Sequence, residues 1–185
     1  NHADGMQPAA DAQVALDFLQ LVRLGLRRAD DPVVADSVKL ADAILKTDTP
    51  AGPVWHRYNG DGYGEHDDGT PFDGTGHGRG WPLLAGERGH YELAAGRDPL
   101  PLLQAMQAMA HRGLLPEQVW DAAPVGRFEP GRFTGGAMPL VWAHAEFVKL
   151  AASRAAGHAI DRIDAVWARY RGTRPVATTW LWTPA

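Results

Sequence analysis

Apolar positions recur with helical spacing in six segments of the chain. In the first, Val14, Phe18, Leu21, Val22 and Gly25 share one face. The second opens at Asp31-Pro32, a capping acid followed by proline at the first helical position. There Val34, Val38, Ala41 and Leu45 form a stripe that Val33, Leu40 and Ile44 widen, which predicts a helix buried on two faces. The third spans Pro82 to Ala95 and stops at Gly96. The fourth follows Asp98-Pro99, with Leu102, Met106, Met109 and Ala110 on one face before Gly113. The fifth starts near Pro139, aligns Leu140, His144, Phe147, Val148 and Ala151, and ends at Gly157. The sixth is short and follows Asp161, with Ile163, Trp167 and Tyr170 on one side. Short joins link segments one to two and three to four, which predicts antiparallel neighbours.

Two long joins break this rhythm, Thr47 to Trp81 and Leu114 to Met138. The first holds nine glycines between Gly52 and Gly80, but also Trp55, Tyr58, Tyr63, Phe72 and Trp81. Five aromatics argue against a disordered linker and for an ordered surface built from turns. After Gly172, Val176, Thr178, Trp180 and Trp182 alternate as in a β-strand, whose edge needs a partner.

Composition narrows the classes of function. The 185 residues suffice for one domain with a sizeable core, and 45% hydrophobic content is ordinary for a globular chain. A net charge of -4 disfavours a nucleic-acid partner, and no apolar run is long enough to span a membrane. Cysteine is absent, so disulfides, thiolate nucleophiles and cysteine metal sites are excluded. Asn1 to Ala10 show no signal-peptide pattern.

The chemistry-bearing residues gather in the long joins. The loop from Trp55 to Pro82 fits three readings: a solvated set of turns, a calcium loop, or a surface for polyhydroxyl compounds. The EF-hand spacing fails at Asp61, Tyr63 and Glu65, and His56, His66 and His77 lie too far apart for a compact zinc motif. No metal or other cofactor is expected. Arg and Asp side chains suit sugar hydroxyls, and Trp and Tyr offer flat apolar faces. Glu117, between an apolar pair and Trp120, reads either as a charged strand end or as a carboxylate tuned for proton transfer. Glu87 and Arg88 are either helix-start charges or a pair lining a cleft. His144 reads as a satisfied core histidine. Trp142, two positions away, points to the other side of that helix.

Five motifs occur in order: Gly52-Pro-Val-Trp-His-Arg-Tyr-Asn; Asp61-Gly-Tyr-Gly-Glu-His-Asp-Asp-Gly; Gly78-Arg-Gly-Trp-Pro-Leu-Leu-Ala-Gly-Glu-Arg-Gly; Leu115-Pro-Glu-Gln-Val-Trp-Asp; and Ala137-Met-Pro-Leu-Val-Trp-Ala-His-Ala-Glu. Together they resemble family 15 glycoside hydrolases, in the prokaryotic glucoamylase and glucodextranase branch, from about Val14 to Trp182. The resemblance implies an all-α fold. About six helices in three antiparallel pairs would form half of an (α/α)6 toroid, with long ordered loops and a short C-terminal β segment. Residues 1–172 would be a partial catalytic barrel and 173–185 the start of a β extension.

The resemblance also implies inverting, exo-acting hydrolysis of α-glucosidic bonds, releasing glucose from starch or maltooligosaccharides. Glu117 matches the general base and Arg79 the arginine that holds glucose hydroxyls. Trp81, Glu87, Trp120, Trp142 and Tyr58 are the further expected substrate contacts. The half of the barrel that carries the general acid has no counterpart here. A homodimer could complete the barrel, and the alternatives are a catalytically impaired carbohydrate-binding fragment or a self-associating half barrel.

Overall fold

The computed structural model describes residues 9–170. The domain boundary expected at 172/173 and the C-terminal β segment lie outside the described residues. Six helices and one hairpin follow in order: α1 (Leu19–Arg23), α2 (Pro32–Leu45), β1 (Lys46–Thr49), β2 (Gly52–Trp55), α3 (Pro82–Ala94), α4 (Leu100–Met109), α5 (Val141–Ala156) and α6 (Asp164–Tyr170). No described helix is long and apolar enough to cross a membrane.

The Asp31-Pro32 signal works as its chemistry dictates. The Asp31 carboxylate accepts the Val33 amide at 2.9 Å, satisfying one of the free donors of the first turn. Val34, Val38, Ala41 and Leu45 are buried along α2. The expected second buried face is instead open: Val33 is 74% exposed, Leu40 53% and Ile44 46%. No described element covers that side of the helix.

The first segment is helical only from Leu19. Upstream, the Val14 amide donates to Asn59 Oδ1 at 2.7 Å, and the Asn59 amide donates back to the Val14 carbonyl at 3.3 Å. The long loop thus takes the backbone groups that a longer helix would have used. The hairpin was not foreseen from the sequence. Its register pairs Lys46 with Trp55 and Thr49 with Gly52. Thr49 Oγ1 closes the turn by donating to the Gly52 carbonyl at 2.8 Å.

α3 is the centre of the scaffold and packs against α1, α4, α5 and β2. Its approach to α5 is close because Gly89 has no side chain: a Cβ there would stand 2.5 Å from Leu150 Cδ2. The buried stripe of α5 is Ala143, Glu146, Leu150 and Ser153. The stripe read from the sequence is thus offset by one position. His144 and Phe147 are half-buried, and Val148 is 63% exposed. The offset arises because Glu146 is a core residue here, paired with Arg23 at 2.7 Å and with His90 at 3.0 Å.

From the hairpin, single antiparallel bridges carry the pairing outward: Trp55 with Trp81, Gly80 with Val119, and Val119 with Phe133. The first closes the earlier long join on itself, the second ties it to the later join, and the third closes the later join. This irregular ladder brings the two glycine-rich joins together beside α3.

Candidate functional site

The segment around Glu117 is extended and paired on both flanks. The Val119 amide donates to the Gly80 carbonyl at 2.8 Å, and the Trp120 amide to the Arg132 carbonyl at 2.8 Å. The Glu117 amide donates to the Ala137 carbonyl at 2.8 Å. Alternation along a strand then sends Glu117 and Gln118 to opposite sides. Gln118 is buried, accepts the Arg79 amide at 2.7 Å and donates to the Tyr63 carbonyl at 3.0 Å. It clamps the two halves of the first long loop.

Glu117 faces a hollow of about 320 Å3. Tyr63, Glu65, Phe72, Gln118, Arg127 and Phe128 share its lining, with Gly135 and Gly136 at the rim. The Glu117 carboxylate accepts the Ala137 amide at 3.3 Å and has no salt bridge among the described residues. Beside it, burial and the charges of Glu117 and Glu65 push the Tyr63 phenol above its ordinary value. Tyr63 therefore stays a hydroxyl donor at neutral pH.

Arg57, which the sequence reading passed over, is held next to this hollow. Its guanidinium forms a fork with Asp61 at 2.7 and 2.8 Å. It lies 5.4, 5.0 and 5.0 Å from the ring centres of Tyr58, Tyr63 and Trp81. Such a fixed, half-buried cation among aromatic rings presents donors beside flat apolar faces. The four-residue spacing from Arg57 to Asp61 was the only local signal for it.

The candidate residues divide in space. Arg79 lies beneath the hollow and is 1% exposed. Its guanidinium stacks 3.9 Å from the centre of the Trp120 ring and donates to the Glu65 carbonyl at 2.8 Å and to Asp67 Oδ1 at 2.9 Å. Arg79 is thus built into the floor in this structure: its Nη2 is committed to these two acceptors and its face to Trp120, while its Nε has no hydrogen-bond partner among the described residues. Trp120 is fully buried, stacks on Phe128 at 5.0 Å and donates its indole N–H to the Ala123 carbonyl at 2.8 Å. Trp81 is buried, and its indole N–H has no hydrogen-bond partner among the described residues. Tyr58 is half-buried beside Arg57.

Two candidates lie away from the hollow. Trp142 is 57% exposed on α5 and is not part of the lining. Glu87 faces the charges of α1 and α5. Burial and then the Glu146 charge push its carboxyl up to about 7, against the pull of Arg23. His144 behaves as a satisfied residue: its Nε2 accepts the Leu115 amide at 2.9 Å. Among the described residues, no group of three or more His, Asp or Glu side chains is placed to hold a metal ion.

No family model matches the chain. A glucoamylase of Clostridium sp. (strain G0005) is 47% identical over 154 residues, which is 83% of this chain and 21% of that protein. The chain therefore spans about a fifth of the length of that relative. The crystal structure of a bacterial glucoamylase complexed with acarbose matches with a TM-score of 0.79 at 47% identity, over 85% of this chain and 23% of the other. A wild-type glycosidase structure, 24% identical with a TM-score of 0.58, covers 81% of this chain and 38% of its own; it shows likeness of fold alone. The sequence identity and the superposition agree with the order of motifs and with the six described helices: the chain belongs to the glucoamylase family of glycoside hydrolases and corresponds to part of its helical toroid.

Proposed function

We propose that this chain carries the water-activating side of an inverting, exo-acting α-glucosidase site that releases glucose from starch or maltooligosaccharides. Glu117 is the general base, and the general acid comes from outside this chain. The carrying observation is the setting of Glu117: a carboxylate without a cation partner among the described residues, opening on a hollow with Tyr63, Phe72 and Arg127 around it. A base that takes a proton from water must be ionised, reachable by that water, and not already paired with a cation.

The steps follow from inverting chemistry. The distant acid protonates the leaving glycosidic oxygen, while Glu117 removes a proton from a water on the opposite face of the ring. The two carboxyl groups then stand about 6.5–9.5 Å apart to admit the water. The rings of Tyr63 and Phe72, 5.1 Å apart edge to face, give the sugar an apolar wall. Arg57 supplies donors to its hydroxyls. In this reading Arg79 acts from below, by fixing Glu65 and Trp120, rather than by touching glucose.

The open apolar faces of α2, at Val33, Leu40 and Ile44, and of α5, at Val141, Trp142 and Val148, support the view that further protein packs there. It is the remainder of the toroid or a second copy of the chain.

The test is glucose release from maltotetraose by the chain joined with the remainder of the toroid that brings the general acid, with the product anomer followed by NMR and acarbose binding followed by calorimetry. The β-anomer is expected, and Glu117→Gln should slow release by about 100- to 10,000-fold while acarbose still binds. Equal rates in the two proteins overturn the assignment of Glu117. Acarbose binding without any release selects the carbohydrate-binding fragment instead.

A further inference from the structure

Two carboxylates line the hollow, and the reading above uses only Glu117. Glu65 is 6% exposed. One of its oxygens accepts the Gly135 amide, and a Cβ at Gly135 would lie 2.6 Å from that oxygen. At the next residue, Gly136, a Cβ would lie 2.8 Å from Glu117 Oε2. Ala137 then donates its amide to Glu117 Oε2 at 3.3 Å and accepts the Glu117 amide at 2.8 Å. Three successive residues therefore join the two carboxylates. Two of the three are glycines, whose backbone is the least restrained of any residue.

Glu65 is itself anchored from behind. Its carbonyl accepts Arg79 Nη2 at 2.8 Å, and Arg79 is stacked on the buried Trp120. The line of contact thus runs from the core through Arg79 and Glu65 to the Gly135–Ala137 backbone, and from there to Glu117. A base must be held to within a fraction of an ångström of its productive position, and a misplacement of about 1 Å costs on the order of 100-fold in rate.

We infer that Glu65 is a positioning residue for Glu117: by holding the Gly135 amide it fixes the Gly136–Ala137 backbone that sets the direction of the Glu117 carboxylate. This rests on the reading of Glu117 as the general base. Substitution of Glu65 should act on turnover rather than on substrate affinity, because Arg57, Tyr63 and Phe72 do not depend on the Gly135 contact.

The experiment compares Glu65→Ala, Glu65→Gln, Glu117→Gln and the Glu65→Ala/Glu117→Gln double variant of the whole protein, with the remainder of the toroid that brings the general acid, on maltotetraose. Glu65→Ala should lower kcat by about 10- to 100-fold with KM changed less than about twofold. Glu65→Gln keeps an acceptor for the Gly135 amide and should restore most of the rate. The double variant should be no slower than Glu117→Gln alone. A residue that only supports the fold would slow both backgrounds by the same factor, and that result overturns the inference.

A second measurement does not need turnover. NMR of the same proteins follows hydrogen exchange at Gly135 and Ala137 and the Glu117 side-chain carboxyl resonance across pH. In Glu65→Ala the two amides should exchange at least about tenfold faster and the Glu117 titration should move, with both effects reversed in Glu65→Gln. Unchanged exchange and an unchanged Glu117 titration sink the inference. Full activity in Glu117→Gln sinks the assignment of the base instead, and leaves the NMR result to decide whether Glu65 orders the loop.

Discussion

Between α1, α3 and α5, the molecule buries its charges in pairs. Arg23, 5% exposed, touches Glu146 at 2.7 Å and Asp161 at 2.8 Å, and His90 stands 3.0 Å from Glu146. Burial works against the charge on Glu146, yet His90 and Arg23 hold its carboxyl below the ordinary range. Asp161 is likewise opposed by burial but drawn down to about 2 by Arg23 and Lys149. Around the hollow the arrangement is the reverse. Glu117 meets a backbone amide and Glu65 another, and no described cation bonds to either carboxylate. In the helical scaffold, electrostatic energy is spent on fixing geometry. At the hollow, an amide fixes the carboxylate while leaving its charge available.

The sharpest way to break this contrast is to remove one cation from the scaffold. Arg23→Ala leaves Glu146 buried without the guanidinium that pairs with it and should cost about 3–5 kcal/mol of stability by urea unfolding. A loss below about 1 kcal/mol would mean that the pair holds nothing together. Next in size is a change at the hollow. In Gly136→Ala the added methyl would meet the movable end of Glu117, so unfolding should shift by less than about 1 kcal/mol while kcat falls about tenfold. A large stability loss with full activity would invert the comparison.

The smallest effect tests a buried acid of the scaffold, Glu87. The Glu87 carboxyl is raised by burial to about 7, so the protonated form is favoured in the folded state. Its contribution to stability is full below the unfolded value near 4.5 and is lost as pH rises through about 7. Glu87→Gln should therefore stabilise the protein by about 1 kcal/mol at pH 8 and change little at pH 4. Parallel stability–pH curves for the two proteins would show that Glu87 is not held in this way.

Much of the scaffold is legible in the sequence because its signals are local. Asp31-Pro32 marks the start of α2, and Gly157, at a φ of 76°, marks the end of α5. The α5 stripe was misread by one position because Glu146 is acceptable in the core only when Arg23, 123 positions earlier, is beside it. The hairpin escaped because Lys46-Thr47-Asp48-Thr49 carries no apolar alternation, and its pairing depends on Val54 and Trp55. At the hollow, Glu117 is singled out by its flanking motif and lies in the lining. The place of Arg79 was not legible, since only the fold shows that Trp120 and the Glu65 carbonyl occupy it. Arg57 was passed over because its value lies in three rings gathered around it, two of which are close in sequence and one of which, Trp81, is not.

The bridge from Glu65 to Gly135 joins residues 70 positions apart. During synthesis from the N-terminus, the wall of the hollow cannot close until the chain has grown past Ala137. The earlier half of the ladder, the hairpin and Trp81, can form while that stretch is still being made. The assembly of the site is therefore a late event by construction, and the growing chain holds no finished hollow for a ligand to enter before its scaffold helices α3 and α4 have been made.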